Sequence, residues 1–244
     1  MFDTSFFSVI FFTTISSFGW YYMYLKLRRI FITEPEFTAR IVAALHAVVV
    51  VIFAYISLQL GPNPLYDPGE PNTVTQNVTM LISIGYFIYD FFWCVRYQPE
   101  PKIMLIHHLA SIVAILFILL DGKSGAEAIG GLGSLELTNP LLQARWFLRT
   151  FNKKNTPLYN FVEYLFLTLF LVVRLGYGSF LLYSVTMSKK TNLVVKLSTV
   201  LLYLISLAFI YSIGRFVVKK FTRPARITED SEEDEDDGGD VKLS

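Results

Sequence analysis

The chain has 244 residues, of which 53% are hydrophobic, and its mean hydropathy is +0.48. Its 21 basic and 20 acidic residues almost balance, giving a formal net charge of +1. This apolar content is above the roughly 45–50% of a soluble domain. The chain also lacks the excess of basic residues that would indicate a nucleic-acid partner. The composition therefore predicts an integral membrane protein.

Seven apolar runs approach the length of about 20 residues that a helix needs to cross hydrocarbon. They lie at 5–25, 37–60, 77–97, 102–121, 126–149, 158–184 and 193–218. The first run is too long for a signal-peptide core, and its basic cluster follows it instead of preceding it, so we expect a retained span. The pattern predicts an all-α membrane protein of about seven transmembrane helices.

We divide the chain into three parts. Residues 1–29 form the first transmembrane helix with its basic flank, and residues 30–222 form a domain of six further helices. Residues 223–244 contain "TEDSEEDEDDGGD", whose like charges repel and which has no apolar surface to bury. This acidic tail is predicted to be disordered and cytosolic.

The fifth run, "GAEAIGGLGSLELTNPLLQARW", is the least typical of the seven. It contains several glycines together with Glu136, Pro140 and Arg145, which a helix facing lipid does not tolerate. We expect neighbouring helices to surround it.

Lys and Arg in short loops set the orientation of a membrane protein. Alternate connections carry the basic clusters around residues 26–29, 96–102, 149–154 and 219–226, which predicts a lumenal amino terminus and a cytosolic carboxyl terminus. The opposite loop "GPNPLYDPGEPNTVTQ" has four prolines and no basic residue. A glycosylation sequon at Asn77 follows that loop but abuts the third span, which disfavours modification.

Several polar side chains fall inside the apolar runs, where they are costly and usually face a bundle interior or a cavity. Counted at about 1.5 Å per residue, most of them lie at similar depths in the cytosolic half. A common polar pocket that opens toward the cytosol accounts for this shared depth. The residues are His46, Asp90, His107, His108, Glu136, Asn139, Gln143 and Arg145.

Two spacings suggest how these residues are arranged. Glu136, Asn139 and Gln143 are spaced i, i+3, i+7 and should share one stripe of the fifth helix, facing the histidines. Adjacent residues on a helix point about 100° apart, so His107 and His108 cannot both face one atom. One can act on a substrate while a neighbouring helix holds the other through Asp90 or His46, and Ser111 can fix a tautomer.

Structural roles compete with functional ones for most of these residues. A buried His46 is more often an interhelical hydrogen-bonding group, and Asp90 more often a clamp between helices. Glu163 and Arg174 are taken as structural, and the sole cysteine, Cys94, as a packing residue. For the adjacent histidines the functional role is favoured.

Metal and nucleotide chemistry find little support in the sequence. Membrane di-iron enzymes need many more imidazoles than the three histidines present, and no zinc spacing pattern occurs. No phosphate loop, dinucleotide fingerprint or G-x-S-x-G motif is present. We therefore expect neither a metal nor a resident cofactor.

Three segments carry a resemblance to a known family. "GYFIYDFFWCVRYQ", "IHHLAS" and "SLELTNPLLQARWFL" occur in the order found in the TLC family, named for TRAM, Lag1 and CLN proteins. The resemblance covers nearly the whole chain apart from the acidic tail. It implies a helical bundle around a central membrane cavity that holds a lipid or acyl chain, in the endoplasmic reticulum or another endomembrane.

The resemblance also suggests site residues. Ceramide synthases of this family use a His-His pair, which matches His107 and His108, and a following H-D-x-x-D element. Here Leu135 replaces the histidine of that element, Glu136 its first aspartate and Asn139 its second. His107, His108 and Glu136 are the candidate catalytic residues. His46, Asp90, Ser111, Asn139, Gln143 and Arg145 are the candidate lipid-binding residues.

Two functions remain open. The first is lipid binding that serves lipid metabolism or homeostasis, with a membrane lipid or acyl chain as the partner. The second is acyl transfer, in which a neutral imidazole accepts a proton or an acyl group and acyl-CoA is a co-substrate. A seven-helix receptor is discounted because only the helix count supports it, and the sequence does not fix an oligomeric state.

Overall fold

The computed structural model describes residues 5–31, 34–97 and 102–222. These residues form eight helices, which we label in chain order. They are α1 (Phe6–Phe31), α2 (Pro35–Leu60), α3 (Val74–Tyr97), α4 (Lys102–Asp121), α5 (Gly125–Glu136), α6 (Asn139–Thr150), α7 (Pro157–Met187, with a π-helical turn at Val172–Tyr177) and α8 (Leu193–Thr222). The predicted acidic tail lies outside the described residues.

The helix lengths confirm the predicted all-α membrane fold. Helices α2, α3, α4, α7 and α8 each contain a segment that is long and apolar enough to cross a membrane. Helix α1 has 26 residues, but its Ser, Thr and Tyr residues make it less apolar than these five helices. Helices α5 and α6 together cover the fifth predicted run, so the described residues account for all seven predicted runs, five of them with helices of spanning length and composition.

The fifth run does not form the single helix that the sequence predicted. It divides at Leu137 and Thr138 into α5 and α6, of 12 residues each. Pro140 explains the break, because proline has no N–H and its ring clashes with the carbonyl four residues earlier, here that of Glu136. α5 ends at that residue, and Pro140 stands in the first turn of α6, where a missing N–H costs little.

Helices α2–α8 surround an interior, and α1 packs on their outer side. α3 contacts α1, α2 and α4, while α8 contacts α4 and α7. A Cβ on Gly85 of α3 would lie 2.2 Å from Ser16 Oγ, so only glycine allows this approach. Trp20 Nε1 of α1 also donates to the Ile82 carbonyl at 3.0 Å.

The connections 61–73, 122–124 and 188–192 close one end of the bundle, which we call the long-loop end. Glu127 accepts a hydrogen bond from the Gly69 amide at 2.6 Å, and the exposed Lys190 pairs with Glu70. The hydrogen bond from Lys190 to Glu70 raises the pKa of the lysine. Asn77 is 3% exposed and accepts from Asn72, so its sequon leaves no room for a glycan in the folded protein.

The opposite end carries Lys26, Arg28 and Arg29 of α1, Arg96 of α3 and Lys102 of α4, and we call it the basic end. His107 and His108 lie about 8 Å from this end along α4. The large exposed apolar side chains cover the outside of the bundle between the two ends, with examples such as Phe11, Ile52 and Phe161. This outer surface suits contact with lipid.

Candidate functional site

Two cavities lie inside the ring of helices. The basic-end cavity has a volume of about 130 Å³. Most of its polar lining consists of Arg40, Asp90, His107, His108, Glu136, Asn139, Gln143 and Arg174. The second, which we call the apolar cavity, has about 120 Å³ and extends toward the long-loop end. Its aliphatic lining includes Ala114, Ile115, Ile118, Leu132 and Leu181.

The two cavities share five lining residues, which we call the collar. These are Phe87, His107, Leu135, Glu136 and Arg174. Three of them carry an ionisable group, so chemistry-bearing side chains stand where a polar chamber meets an apolar one. This is the arrangement expected for a site that holds an amphipathic molecule.

His108 is held between α3 and α4. Its Nε2 lies 3.4 Å from Asp90 Oδ2, and the ring is 6% exposed. The Cys94 thiol, one turn beyond Asp90 on α3, donates to the same carboxylate oxygen at 3.9 Å. The carboxylate thus contacts both groups, while His108 Nδ1 is buried and has no hydrogen-bond partner among the described groups.

His107 has a different environment from its neighbour. Its ring lines both cavities, and its centroid lies 6.0 Å from that of Phe209 on α8. Its Nδ1, like that of His108, is buried and has no hydrogen-bond partner in the described part of the chain. Of the two rings, His107 is the one placed to meet a molecule that passes the collar.

Glu136 ends a chain of hydrogen bonds that starts near the basic end. Asn139 Nδ2 donates to Glu136 Oε2 at 3.0 Å, and Gln143 Nε2 donates to Asn139 Oδ1 at 2.8 Å. Arg40 Nη1 donates to Gln143 Oε1 at 3.3 Å, and Arg40 also pairs with Glu36 at 2.8 Å. Glu136, Asn139 and Gln143 thus form the predicted stripe although the helix breaks between the first two. Through Arg40 this stripe connects the collar to the surface.

His46 lies behind this site and lines neither cavity. It is 0% exposed, and its ring stacks on that of Tyr86 with centroids 3.8 Å apart. Nδ1 lies 3.7 Å from Glu136 Oε2, which is beyond hydrogen-bond distance. The structure therefore places His46 as a support for Tyr86 and Glu136.

Arg145 is also separate from the cavities. Its Nε donates to Glu163 Oε1 at 3.2 Å, which joins α6 to α7, and the Tyr159 hydroxyl donates to the same oxygen at 3.0 Å. Glu163 is 3% exposed. Arg145 thus supplies the partner that a buried carboxylate requires, and its predicted contact with lipid stays a prediction.

Ser111 lies one turn beyond the histidines on α4 and lines the apolar cavity. Its hydroxyl makes no hydrogen bond to His107 or His108 within the described residues. A role in fixing a histidine tautomer therefore has no contact to support it, and Ser111 is one of several hydroxyl-bearing side chains in a mostly apolar lining.

Two cations at the cavities were missed as site residues. Arg40 is 7% exposed, and its guanidinium lies 4.6 Å from the Trp146 ring centroid. The Glu36–Arg40 spacing near the start of an apolar run could have revealed it. Arg174 was taken as structural, as was Glu163 eleven residues earlier, but it lines both cavities, and the two residues contact different helices.

One group of residues has ligand types suited to a metal ion. The carboxylate of Asp90, the thiol of Cys94 and an imidazole nitrogen of His108 lie within 4.8 Å of one another. A structural zinc site needs four protein ligands, and a catalytic one needs three together with water or substrate. The donor types thus fit the second class, and the absence of a metal stays a prediction.

The chain matches a protein-family model described as the TLC domain over residues 36–223. Among curated proteins it is 32% identical over 116 residues to TLC domain-containing protein 4 of Homo sapiens, covering 46% of this chain and 43% of that protein. It is 27% identical over 138 residues to TLC domain-containing protein 1 of Gallus gallus, covering 56% of this chain and 54% of that protein. TLC domain-containing protein 4-B of Danio rerio is 32% identical over 116 residues, 46% of this chain and 43% of that protein. The chain thus matches about half the length of these relatives.

Proposed function

Since this chain belongs to the TLC-domain family, whose members are membrane proteins generally tied to lipid metabolism, we propose that it binds a lipid or acyl chain inside its bundle. The observation that carries the proposal is the junction of the two cavities at the collar. An apolar tail would occupy the apolar cavity, and a polar head would occupy the basic-end cavity. The bound lipid links the protein to lipid metabolism or homeostasis.

The contacts at the collar support this assignment. A polar residue in a membrane helix is costly unless it meets a partner or a water-filled space. His107 Nδ1 has no partner in the described part of the chain, while Glu136 accepts from Asn139. A lipid headgroup supplies the kind of polar atoms that His107 otherwise lacks.

A cavity-filling variant tests lipid binding directly. Ala114 lines the apolar cavity, and the adjacent Val113 is 53% exposed on the outer face of α4. We expect lipid extracted from the purified wild-type and Val113→Phe proteins to be identified by mass spectrometry at about one molecule per chain. Ala114→Phe should lose it. Absence of bound lipid from the wild-type protein would refute the proposal.

Acyl transfer is the second candidate, and the contrast between the two histidines favours it. Both rings line the basic-end cavity, but His108 has a carboxylate at 3.4 Å, whereas His107 also lines the apolar cavity. In such a reaction the acceptor amine or hydroxyl attacks the thioester carbonyl and gives its proton to a neutral imidazole. The C–S bond breaks, and the imidazolium returns the proton to the leaving CoA thiolate.

A transfer assay separates the two candidates. The full chain in nanodiscs would receive radiolabelled palmitoyl-CoA and a long-chain amine or a lysolipid acceptor. Formation of a labelled amide or ester that is lost in His107→Ala would establish transfer. Bound lipid without any labelled product would leave lipid binding as the function.

The orientation and location are further parts of the proposal. The basic end faces the cytosol, with the amino terminus lumenal and the protein resident in the endoplasmic reticulum or another endomembrane. An epitope placed after Ser244 should be stained after selective permeabilisation of the plasma membrane. Staining that required permeabilisation of the lumenal compartment would refute this orientation.

A further inference from the structure

Arg174 is a cation near the middle of the long apolar helix α7, and it forms no ion pair within the described residues. It lies about 25 Å from the start of α7 at 1.5 Å per residue. Within the described residues no carboxylate is at ion-pair distance from its guanidinium. The nearest candidate in the collar, Glu136, instead accepts from Asn139 at 3.0 Å and lies 3.7 Å from His46.

The contacts of Arg174 hold it in place but leave donors unused. Nη1 donates to Ser206 Oγ of α8 at 2.8 Å, and the guanidinium carbon lies 4.7 Å from the Phe170 ring centroid. Nε is buried and has no partner among the described groups. A guanidinium has five N–H donors in a planar fork, so several remain for an oxyanion.

Two features direct these donors toward the cavities. Arg174 belongs to the collar and lines both of them. It also stands within the π-helical turn Val172–Tyr177, a distortion that often occurs at functional sites. The guanidinium of Arg174 therefore lies where the basic-end cavity meets the mostly apolar one.

We propose that Arg174 binds the carboxylate of a long-chain fatty acid whose tail fills the apolar cavity. This inference rests on the proposed function, because it assigns the headgroup chemistry of the lipid bound there. Planar bidentate pairing suits arginine and carboxylate. A phosphate is disfavoured because Asp90 and Glu136 line the same basic-end cavity, and a second negative charge on the ligand would be repelled by them.

Binding of palmitate and of methyl palmitate to the purified full chain tests the inference. Both have the same tail, but only palmitate has a charged head. We expect the wild-type protein to bind palmitate about tenfold or more tightly than the ester, since hydrogen bonds to charged groups are the stronger ones. Arg174→Gln should lose this preference and retain the ester.

Two further variants control for general effects. Arg96→Gln removes an exposed cation on α3 and should leave the preference unchanged. Ser206→Ala removes only the hydroxyl that orients Arg174 and should reduce the preference without abolishing it. Thermal unfolding of each variant shows whether it is folded.

The other possible binding results distinguish failure of the proposed function from failure of the Arg174 inference. If the wild-type protein binds neither ligand, the proposed function and this inference fail together. Equal binding of both ligands leaves the proposed function intact and overturns the inference. Tighter binding of a lysophosphatidate than of palmitate assigns a phosphate in place of the carboxylate and also overturns it, as does a preference that persists in Arg174→Gln.

Discussion

Asp90 and His108 meet across the interface of α3 and α4, with Asp90 Oδ2 3.4 Å from His108 Nε2. The carboxylate is the partner that allows an imidazole to be buried there, because an unpaired polar group in an apolar interior is costly. This contact involves Nε2 of His108, which lines only the basic-end cavity, whereas His107 lines both cavities. His108 thus contacts a carboxylate of the protein, whereas His107 faces the collar, where a bound molecule would contact it.

Replacement of Asp90 should lower stability. Asp90→Ala leaves the buried His108 without its carboxylate, and we expect a loss of about 1–3 kcal/mol in the free energy of unfolding. Asp90→Asn should cost less, because its amide oxygen can still accept a hydrogen bond. Denaturant unfolding in detergent measures both. Asp121→Ala, at an exposed position on α4, is the control and should change stability by less than about 0.5 kcal/mol.

The helical positions could largely be predicted from the sequence, because five of the helices coincide with long apolar runs. The depth of the polar residues could also be predicted, since it depends only on their distance from the helix ends. The direction in which each side chain faces depends on contacts with other helices, and runs of apolar residues define it poorly. His46 and Arg145 lie at suitable depths but face Tyr86 and Glu163 instead of the cavities.

The partner of Arg174 illustrates the same limit. A spacing of eleven residues places Glu163 and Arg174 on one face of a regular helix, which suggested related structural roles. In the structure Glu163 contacts Arg145 of α6, and Arg174 contacts Ser206 of α8. Residues on distant helices decided both contacts, and no local pattern in the sequence specifies them. The break at Pro140, in contrast, had a local cause that the sequence already contained.

The Arg145–Glu163 pair provides a test of stability without function. Arg145→Met removes one member of a largely buried pair, so we expect a loss of about 3–5 kcal/mol in the free energy of unfolding. Arg145→Met combined with Glu163→Leu should recover most of that loss, since no buried charge remains unpaired. Unfolding of both single variants and the double variant gives the coupling. The double variant should bind as much lipid as the wild-type protein. Loss of bound lipid in the double variant would indicate that Arg145 contributes to lipid binding.

Replacement of Cys94 tests whether this residue serves packing or metal binding. Its thiol donates to Asp90 at 3.9 Å, and a serine hydroxyl keeps a donor at that position. If the protein contains no resident metal, Cys94→Ser should retain the bound lipid and thermal stability of the wild-type protein. Metal analysis by plasma mass spectrometry should find less than about 0.1 equivalent of zinc in either, an estimate for adventitious metal since an intact site holds one ion. One equivalent in the wild-type protein that is absent from Cys94→Ser would establish a metal site.

His107 and His108 should be needed for function more than for membrane insertion. Removing a polar group from an apolar span does not oppose insertion, so His107→Ala and His108→Ala should both accumulate to nearly wild-type levels. His108→Ala should be the less stable of the two, because it leaves Asp90 without the imidazole. In cells that lack the protein, neither variant should restore the wild-type lipid profile.

His46→Ala is the control for a purely structural histidine. Because His46 lines neither cavity and stacks on Tyr86 with centroids 3.8 Å apart, its loss should reduce stability first and lipid rescue only in proportion to the remaining folded protein. An interhelical hydrogen bond in a membrane is worth about 0.6 kcal/mol on average.

If the histidine pair served packing alone, His107→Ala would resemble His46→Ala, with small losses of stability and rescue that follow protein abundance. The measurement therefore combines abundance, thermal unfolding and whole-cell lipid profiles for all three single variants and for His107→Ala/His108→Ala. A normal lipid profile restored by that double variant would contradict a functional role for the pair.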